Sequence, residues 1–238
     1  MTREGPDMQS ARQRSSTPPV PRTTSWRTGL LLAAPRLLFA LWLVVLAVGL
    51  WRHAPHLQRP LDLAATVMFG GYLAWGLAEV PVTFRRTGAA PAESATLLMY
   101  AIARLALVTT AAVWPPVWTE WSPWLALPMA VFAGGIALRQ VAIWTLGRFY
   151  SHHVVRQRDH SVVSHGVYRF LRHPAYAGMV TAHIGFTAFF LSPLSAICLI
   201  ALVAAVVRRI LIEEGVLYGL PGYADYARGR ARLCTGLW

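Results

Sequence analysis

The 238-residue sequence has no lysine, only 10 acidic residues and only 2 cysteines. Each shortage excludes something. Charged residues make up 13% of the chain, about half of what a soluble domain uses to cover its surface. Cys198 lies in an apolar run and Cys234 near the C-terminus, with no CxxC spacing, so neither a disulfide scaffold nor a thiolate metal site is encoded. No phosphate-binding GxxxxGK[ST], dinucleotide-binding GxGxxG or zinc-binding HExxH occurs. His152, His153 and His160 have no spaced carboxylate or thiol to complete a metal site, and no metal is expected.

Apolar residues, by contrast, reach 55%, and the mean hydropathy is +0.44. A soluble fold of this size has too little interior for that much apolar surface, so lipid must cover the rest. Leu30 to Leu50 is an apolar run of 21 residues, long enough to span about 30 Å of hydrocarbon. Further runs cover Leu61 to Val82, Ala95 to Val113 and Trp124 to Leu146. Two shorter runs, Ala177 to Leu191 (15 residues) and Leu194 to Val207 (14 residues), flank Ser192-Pro193 and read as a helical hairpin. The expected fold is all-α: a polytopic membrane protein of about six transmembrane helices, the last two a short hairpin. The alternative is five full spans and an interfacial helix. Residues 1–29, rich in Arg, Ser, Thr and Pro, read as a disordered tail; residues 30–146 as four transmembrane helices; residues 147–238 as a functional core.

The net charge of +12 would fit a nucleic-acid partner, but its arginines flank the apolar spans. With both termini in the cytoplasm, 17 flanking arginines lie inside and only Arg52 and Arg59 outside, as the positive-inside rule requires. The expected location is therefore a multi-pass integral protein of a bacterial inner membrane, with no nucleic-acid partner and no obligate protein partner evident.

Three polar features stand out. Gly166-x-Tyr168-Arg169-x-x-Arg172-His173-Pro174-x-Tyr176-x-Gly178 joins a turn-permitting glycine to a proline at a helix start, where backbone N–H groups meet anions; it reads equally as a loop anchored at the headgroups. Arg209 and Glu213 are four apart and share a helix face, either as an exposed ion pair or as a guanidinium oriented toward a ligand. Arg139 lies seven residues inside a span, where it needs an interface, a partner or a cavity.

Taken in order, these features resemble the integral-membrane methyltransferases of the isoprenylcysteine carboxyl methyltransferase type, with phospholipid methyltransferases as broader kin. The resemblance runs from Gly134 to Trp238: Arg139 with Leu146-Gly147-Arg148-Phe149, the Arg172-His173-Pro174 segment, Arg209-x-x-x-Glu213-Glu214-x-x-Leu217, and Pro221-Gly222-Tyr223-x-x-Tyr226. It implies S-adenosylmethionine as cofactor, held in a cytoplasmic C-terminal segment, and a lipophilic or amphiphilic small-molecule acceptor reached from the membrane lipid. Carried over residue by residue, Arg209 and Glu213 would be catalytic. Tyr168, His173, Pro174, Tyr176, Gly178, Glu214 and Tyr223 would contact the cofactor. Val167 and Thr235 stand where the family often has proline. Carboxyl O-methylation is the expected reaction. The alternatives are phospholipid N-methyl or thiol S-methyl transfer, an NADPH-dependent sterol-type reductase, and a non-enzymatic membrane scaffold or channel.

Overall fold

In a computed structural model the protein is described at residues 26–83, 94–147, 162–236 and 238. The helices are α1 (Trp26–His53), α2 (Pro60–Ala78), the single turn α3 (Val80–Thr83), α4 (Ser94–Val113), α5 (Ala126–Leu146), α6 (Pro174–Phe189), α7 (Pro193–Leu217) and the short α8 (Tyr223–Ala227). Pro35–Trp238 form one compact unit; before it, the structure describes only the start of α1. Residues 26–29, expected in the tail, are helical, while 1–25 lie outside the described residues. So do Arg85, Arg86, Arg148, Phe149, Arg156, Arg158 and the three histidines His152, His153 and His160.

The chain is a multi-pass integral membrane protein. Among the described residues, five segments are long and apolar enough to cross a bilayer: Ala34–His56, Pro60–Ala78, Ala95–Val113, Pro123–Leu146 and Pro193–Leu217. The hairpin arms are α6 with 16 residues, close to its 15-residue apolar run, and α7 with 25, which runs on past its 14-residue apolar stretch. The apolar run in α7 ends at Val207, but the helix does not. Arginine, isoleucine, leucine and glutamate are all good or tolerable helix formers, so it continues through Arg208 and Glu214 to Leu217. Prolines open these helices at positions where a missing N–H costs nothing: Pro60 in α2, Pro174 in α6 and Pro193 in α7. At α7, Ser192 and Ser195 add a reciprocal capping box.

Within a bilayer, apolar contact alone gives helices little reason to associate, so close packing and polar links must do so. Both are present. At the α5–α6 crossing, Gly178 lies so close that an added Cβ would sit 2.5 Å from the Arg139 amide nitrogen and 2.7 Å from the Gly135 carbonyl oxygen. Aromatic rings fill the interior, with Phe186 edge-on to Tyr72 at 4.8 Å and to Phe69 at 5.7 Å.

Arg139, isolated in the sequence, has its partner here. Its Nε and Nη2 donate to both carboxylate oxygens of Glu79 at 2.5 and 2.8 Å, and both side chains are buried. The Trp75 indole N–H (2.6 Å) and the Gln140 amide (3.2 Å) also donate to Glu79 Oε1. Arg139 Nη1 also donates to the Ala175 carbonyl at 3.2 Å, which ties the first turn of α6 to α5 and α2. A second intramembrane cation, Arg104, lies 4.9–5.1 Å from the ring centroids of Trp42, Tyr72 and Trp75. Its Nε donates to the Tyr72 hydroxyl at 3.0 Å. His183 Nδ1 is 2.7 Å from the Met179 carbonyl, so that nitrogen carries the proton and Nε2 accepts from the Tyr72 hydroxyl at 2.7 Å. Every proton in this chain has one direction.

The glycine contacts make a test. Gly178→Ala should lower the stability of the detergent-solubilised protein by about 1–3 kcal/mol, as overpacking against backbone does. Gly70→Ala, with nothing within 4 Å of the new methyl, should leave the melting temperature unchanged or slightly raised.

Candidate functional site

The site gathers where α6 begins, α7 ends and the C-terminal segment returns. Gly166 adopts φ +58°, a left-handed conformation that glycine takes without steric cost, and opens a 3-10 turn, Gly166–Arg169. The chain then extends through Leu171, which bridges to Ala231 in the C-terminal segment. Arg172 N–H donates to the Ala231 carbonyl (2.9 Å) and His173 N–H to the Arg232 carbonyl (3.0 Å). Arg172 Nε reaches the Arg230 carbonyl at 2.9 Å. From α8, the Tyr226 hydroxyl shares its one proton between the carbonyls of Tyr168 (2.9 Å) and Leu171 (3.2 Å).

One carboxylate fastens these pieces. Glu214, 3% exposed, accepts from Arg172 Nη1 at 2.8 Å and Arg232 Nε at 2.7 Å, and lies 3.3 Å from His173 Nε2. A buried carboxylate is costly unless paired and hydrogen-bonded, and Glu214 is both. It connects α7, the Arg-His-Pro segment and the C-terminal segment in a single contact set. Arg232 in turn stacks on the Trp238 ring at 4.8 Å.

A second cluster sits one turn back on α7. Arg209 is buried; its Nε donates to the Tyr176 hydroxyl at 2.9 Å, and its Nη1 to Thr96 Oγ1 on α4 at 3.2 Å. The Tyr176 hydroxyl donates onward to Glu213 Oε2 at 2.8 Å. His173 and Tyr176 rings lie 5.9 Å apart, so the two clusters adjoin.

The structure thus brings His173, Tyr176, Arg209, Glu213 and Glu214 together. Pro174 is buried as the first residue of α6. Tyr168 is buried in a neighbouring apolar group with Ala142, Ile143 and Ala175. Tyr223 is buried beside Tyr218 (5.2 Å) and Tyr226 (5.7 Å), and its hydroxyl has no hydrogen-bond partner among the described residues. Burial, reinforced by the Glu214 charge, pushes that hydroxyl's pKa up, so it stays protonated and can donate. The Tyr226 hydroxyl is likewise raised, to about 12, chiefly by burial. Gly178, the last residue of the Arg-His-Pro motif, lies at the α5–α6 crossing. It faces α5, where the helix crossing requires it. Among the described residues no group of three His, Cys, Asp or Glu side chains is placed to hold a metal. An open apolar groove of about 700 Å³ between α2 and α5, lined by Met68, Gly71, Trp75, Phe132 and Ile136, contains none of the site residues.

Sequence reasoning missed Thr96, the Glu79 partner of Arg139, and the clamp formed by Arg172 and Arg232. A glutamate and an arginine, each near the same end of its own span, were a visible signal for the first pair. Nothing in the sequence marked Thr96.

Comparison with known proteins follows the same residues. The profile of the isoprenylcysteine carboxyl methyltransferase (ICMT) family matches residues 126–218. A probable protein-S-isoprenylcysteine O-methyltransferase of Oryza sativa subsp. indica is 31% identical over 139 residues, covering 56% of this chain and 71% of the relative. Protein-S-isoprenylcysteine O-methyltransferase B of Arabidopsis thaliana is 35% identical over 99 residues, 40% of this chain and 50% of its own. A protein-S-isoprenylcysteine O-methyltransferase of Tribolium castaneum is 37% identical over 112 residues, 43% of this chain and 39% of its own. Among solved structures, the eukaryotic intramembrane Ras methyltransferase ICMT superimposes with a TM-score of 0.51 at 22% identity, covering 88% of this chain and 85% of that one; this is a likeness of fold.

The clamp yields a direct expectation. Glu214→Ala should release residues 228–238, read as faster amide hydrogen exchange there and at Leu171–His173, while exchange in α2 and α5 stays at its original rate.

Proposed function

We propose, from the premise that this chain belongs to the isoprenylcysteine carboxyl methyltransferase family, that it methylates the carboxylate of a prenylcysteine-type acceptor held in the bilayer, with S-adenosylmethionine as donor. The chain is a membrane methyltransferase, which sets aside the reductase, scaffold and channel readings. The observation that carries the proposal is the buried Arg209 at the end of an apolar helix, joined through Tyr176 to Glu213.

The residues suit the donor. Tyr223 offers a buried, neutral hydroxyl with no hydrogen-bond partner among the described residues, and Tyr168, His173 and Glu213 would supply aromatic, hydrogen-bonding and anionic groups for a cationic nucleoside. Pro174 fixes the start of α6, which holds His173 at the helix entrance. Glu214 serves by holding the enclosing segments together. When bound, S-adenosylmethionine would supply an electrophilic methyl on a sulfonium, with a neutral thioether as leaving group, which an already ionised acceptor carboxylate can take without a base.

The protein therefore has to position and to exclude water. Arg209 takes one carboxylate oxygen of the acceptor and leaves the other as nucleophile, since gripping both would lower its nucleophilicity. Glu213 keeps the reacting centre in register through Tyr176. We place this end of the molecule and both termini on the cytoplasmic face, on the strength of the arginine asymmetry. The relatives above are plant and insect proteins and lend no support to a bacterial membrane in particular.

Membranes carrying the protein, given methyl-labelled S-adenosylmethionine and S-farnesylcysteine, should form a base-labile methyl ester identified by mass. Arg209→Ala should cut kcat/KM about 100-fold or more while S-adenosylhomocysteine still binds. Label appearing on nitrogen or sulfur, or full activity in the variant, would contradict the assignment.

A further inference from the structure

Arg209 and Glu213 are one turn apart on α7. On an isolated helix such a pair closes directly. Here the phenol of Tyr176, from α6, is inserted between them. It accepts from Arg209 Nε at 2.9 Å and donates to Glu213 Oε2 at 2.8 Å. A phenol has one proton to give. Because Arg209 can only donate, the Tyr176 proton must point to Glu213 Oε2, which accepts it. Thr96 Oγ1, from α4, takes Arg209 Nη1 at 3.2 Å and steadies the guanidinium from the other side. Tyr176 is itself held, two residues after Pro174, by a helix whose first turn is tied to Arg139 through the Ala175 carbonyl.

The electrostatic consequence follows from the low dielectric of the site. A buried guanidinium closed directly onto a carboxylate forms a neutral unit, with little attraction left for a second carboxylate. A phenol between them keeps Glu213 hydrogen-bonded while lengthening its separation from the cation. We infer that Tyr176 is a positioning residue that holds Glu213 off Arg209, so that Arg209 keeps its attraction for an acceptor's carboxylate. This rests on the reading that Arg209 receives that carboxylate. It also gives Tyr176 a role distinct from the cofactor contact expected from the sequence resemblance.

The test uses binding as well as turnover. The purified full-length protein is titrated with S-farnesylcysteine and with its uncharged amide, and KM and kcat are measured for the carboxylate. The wild type should prefer the carboxylate over the amide. Tyr176→Phe keeps the ring and removes the hydroxyl. It should lose most of that preference and raise KM roughly tenfold to a hundredfold, the scale of a charge-assisted interaction. Its S-adenosylhomocysteine affinity and melting temperature should not change. In the Tyr176→Phe background, Glu213→Gln removes the charge that closes onto Arg209, so it should restore the carboxylate preference and bring KM back down, whatever it does to kcat. A purely structural tyrosine would give losses that add. Should Tyr176→Phe not fold, Glu213→Gln alone still decides: carboxylate affinity must not weaken. A wild type with no carboxylate preference would overturn the reading of Arg209, and this inference with it. A wild type with the preference and a Tyr176→Phe variant that retains it, or a double variant no better than the single, would overturn this inference alone.

Discussion

The functional end of this molecule depends on burying one carboxylate. Glu214 is almost wholly out of solvent, and a charge so placed is stable only with cations and hydrogen-bond donors around it. Arg172 and His173 come from the segment before α6, and Arg232 from beyond α8. Satisfying Glu214 therefore fixes where three separate stretches of chain meet. The backbone bonds between residues 171–173 and 231–232 form on that arrangement, and the Tyr226 hydroxyl seals the turn before it. None of these links uses apolar burial, which is why they hold at the end of the helices where lipid gives way to water.

Deeper in the bundle the same rule acts under a harsher solvent. Lipid offers no hydrogen bonds, so every buried charge must be answered by the protein. Glu79 and Arg139 answer each other across α2 and α5, and the guanidinium's remaining reach fixes the first turn of α6. Arg104 is answered by three aromatic faces and a directed chain through Tyr72 to His183. The frame that presents His173 and Tyr176 is thus built from polar contacts that cannot slide, with glycines at the α5–α6 crossing letting backbones approach. Arg209 and Glu213 inherit their geometry from that frame.

Much of this was legible in the sequence, for physical reasons that differ by element. The spans announced themselves because lipid demands long apolar runs. The spacing of Arg209 and Glu213 pointed to one helix face, and the motif order pointed to the family. Hydropathy marks only where lipid contact ends, at Val207, whereas the shared face of Arg209 and Glu213 required the helix to run on, as it does to Leu217. Gly178 stood out in the sequence only through its motif; the helix crossing shows why a side chain is missing there. The partners Glu79 for Arg139 and Thr96 for Arg209 are separated by 60 and 113 residues, and periodicity holds no information about such pairs. Tyr176 was picked out by its motif, but its bond to both members of the α7 pair is a property of two helices packed together.

The central claim is that Glu214 assembles the Arg-His-Pro segment, the end of α7 and the C-terminal segment into one nucleoside-binding enclosure. Calorimetric titration of the purified protein with S-adenosylhomocysteine tests it most directly. Saturable binding to the wild type, abolished in Glu214→Ala while the melting of the transmembrane bundle persists, is the predicted result. No binding to the wild type, or undiminished binding to the variant, would contradict it.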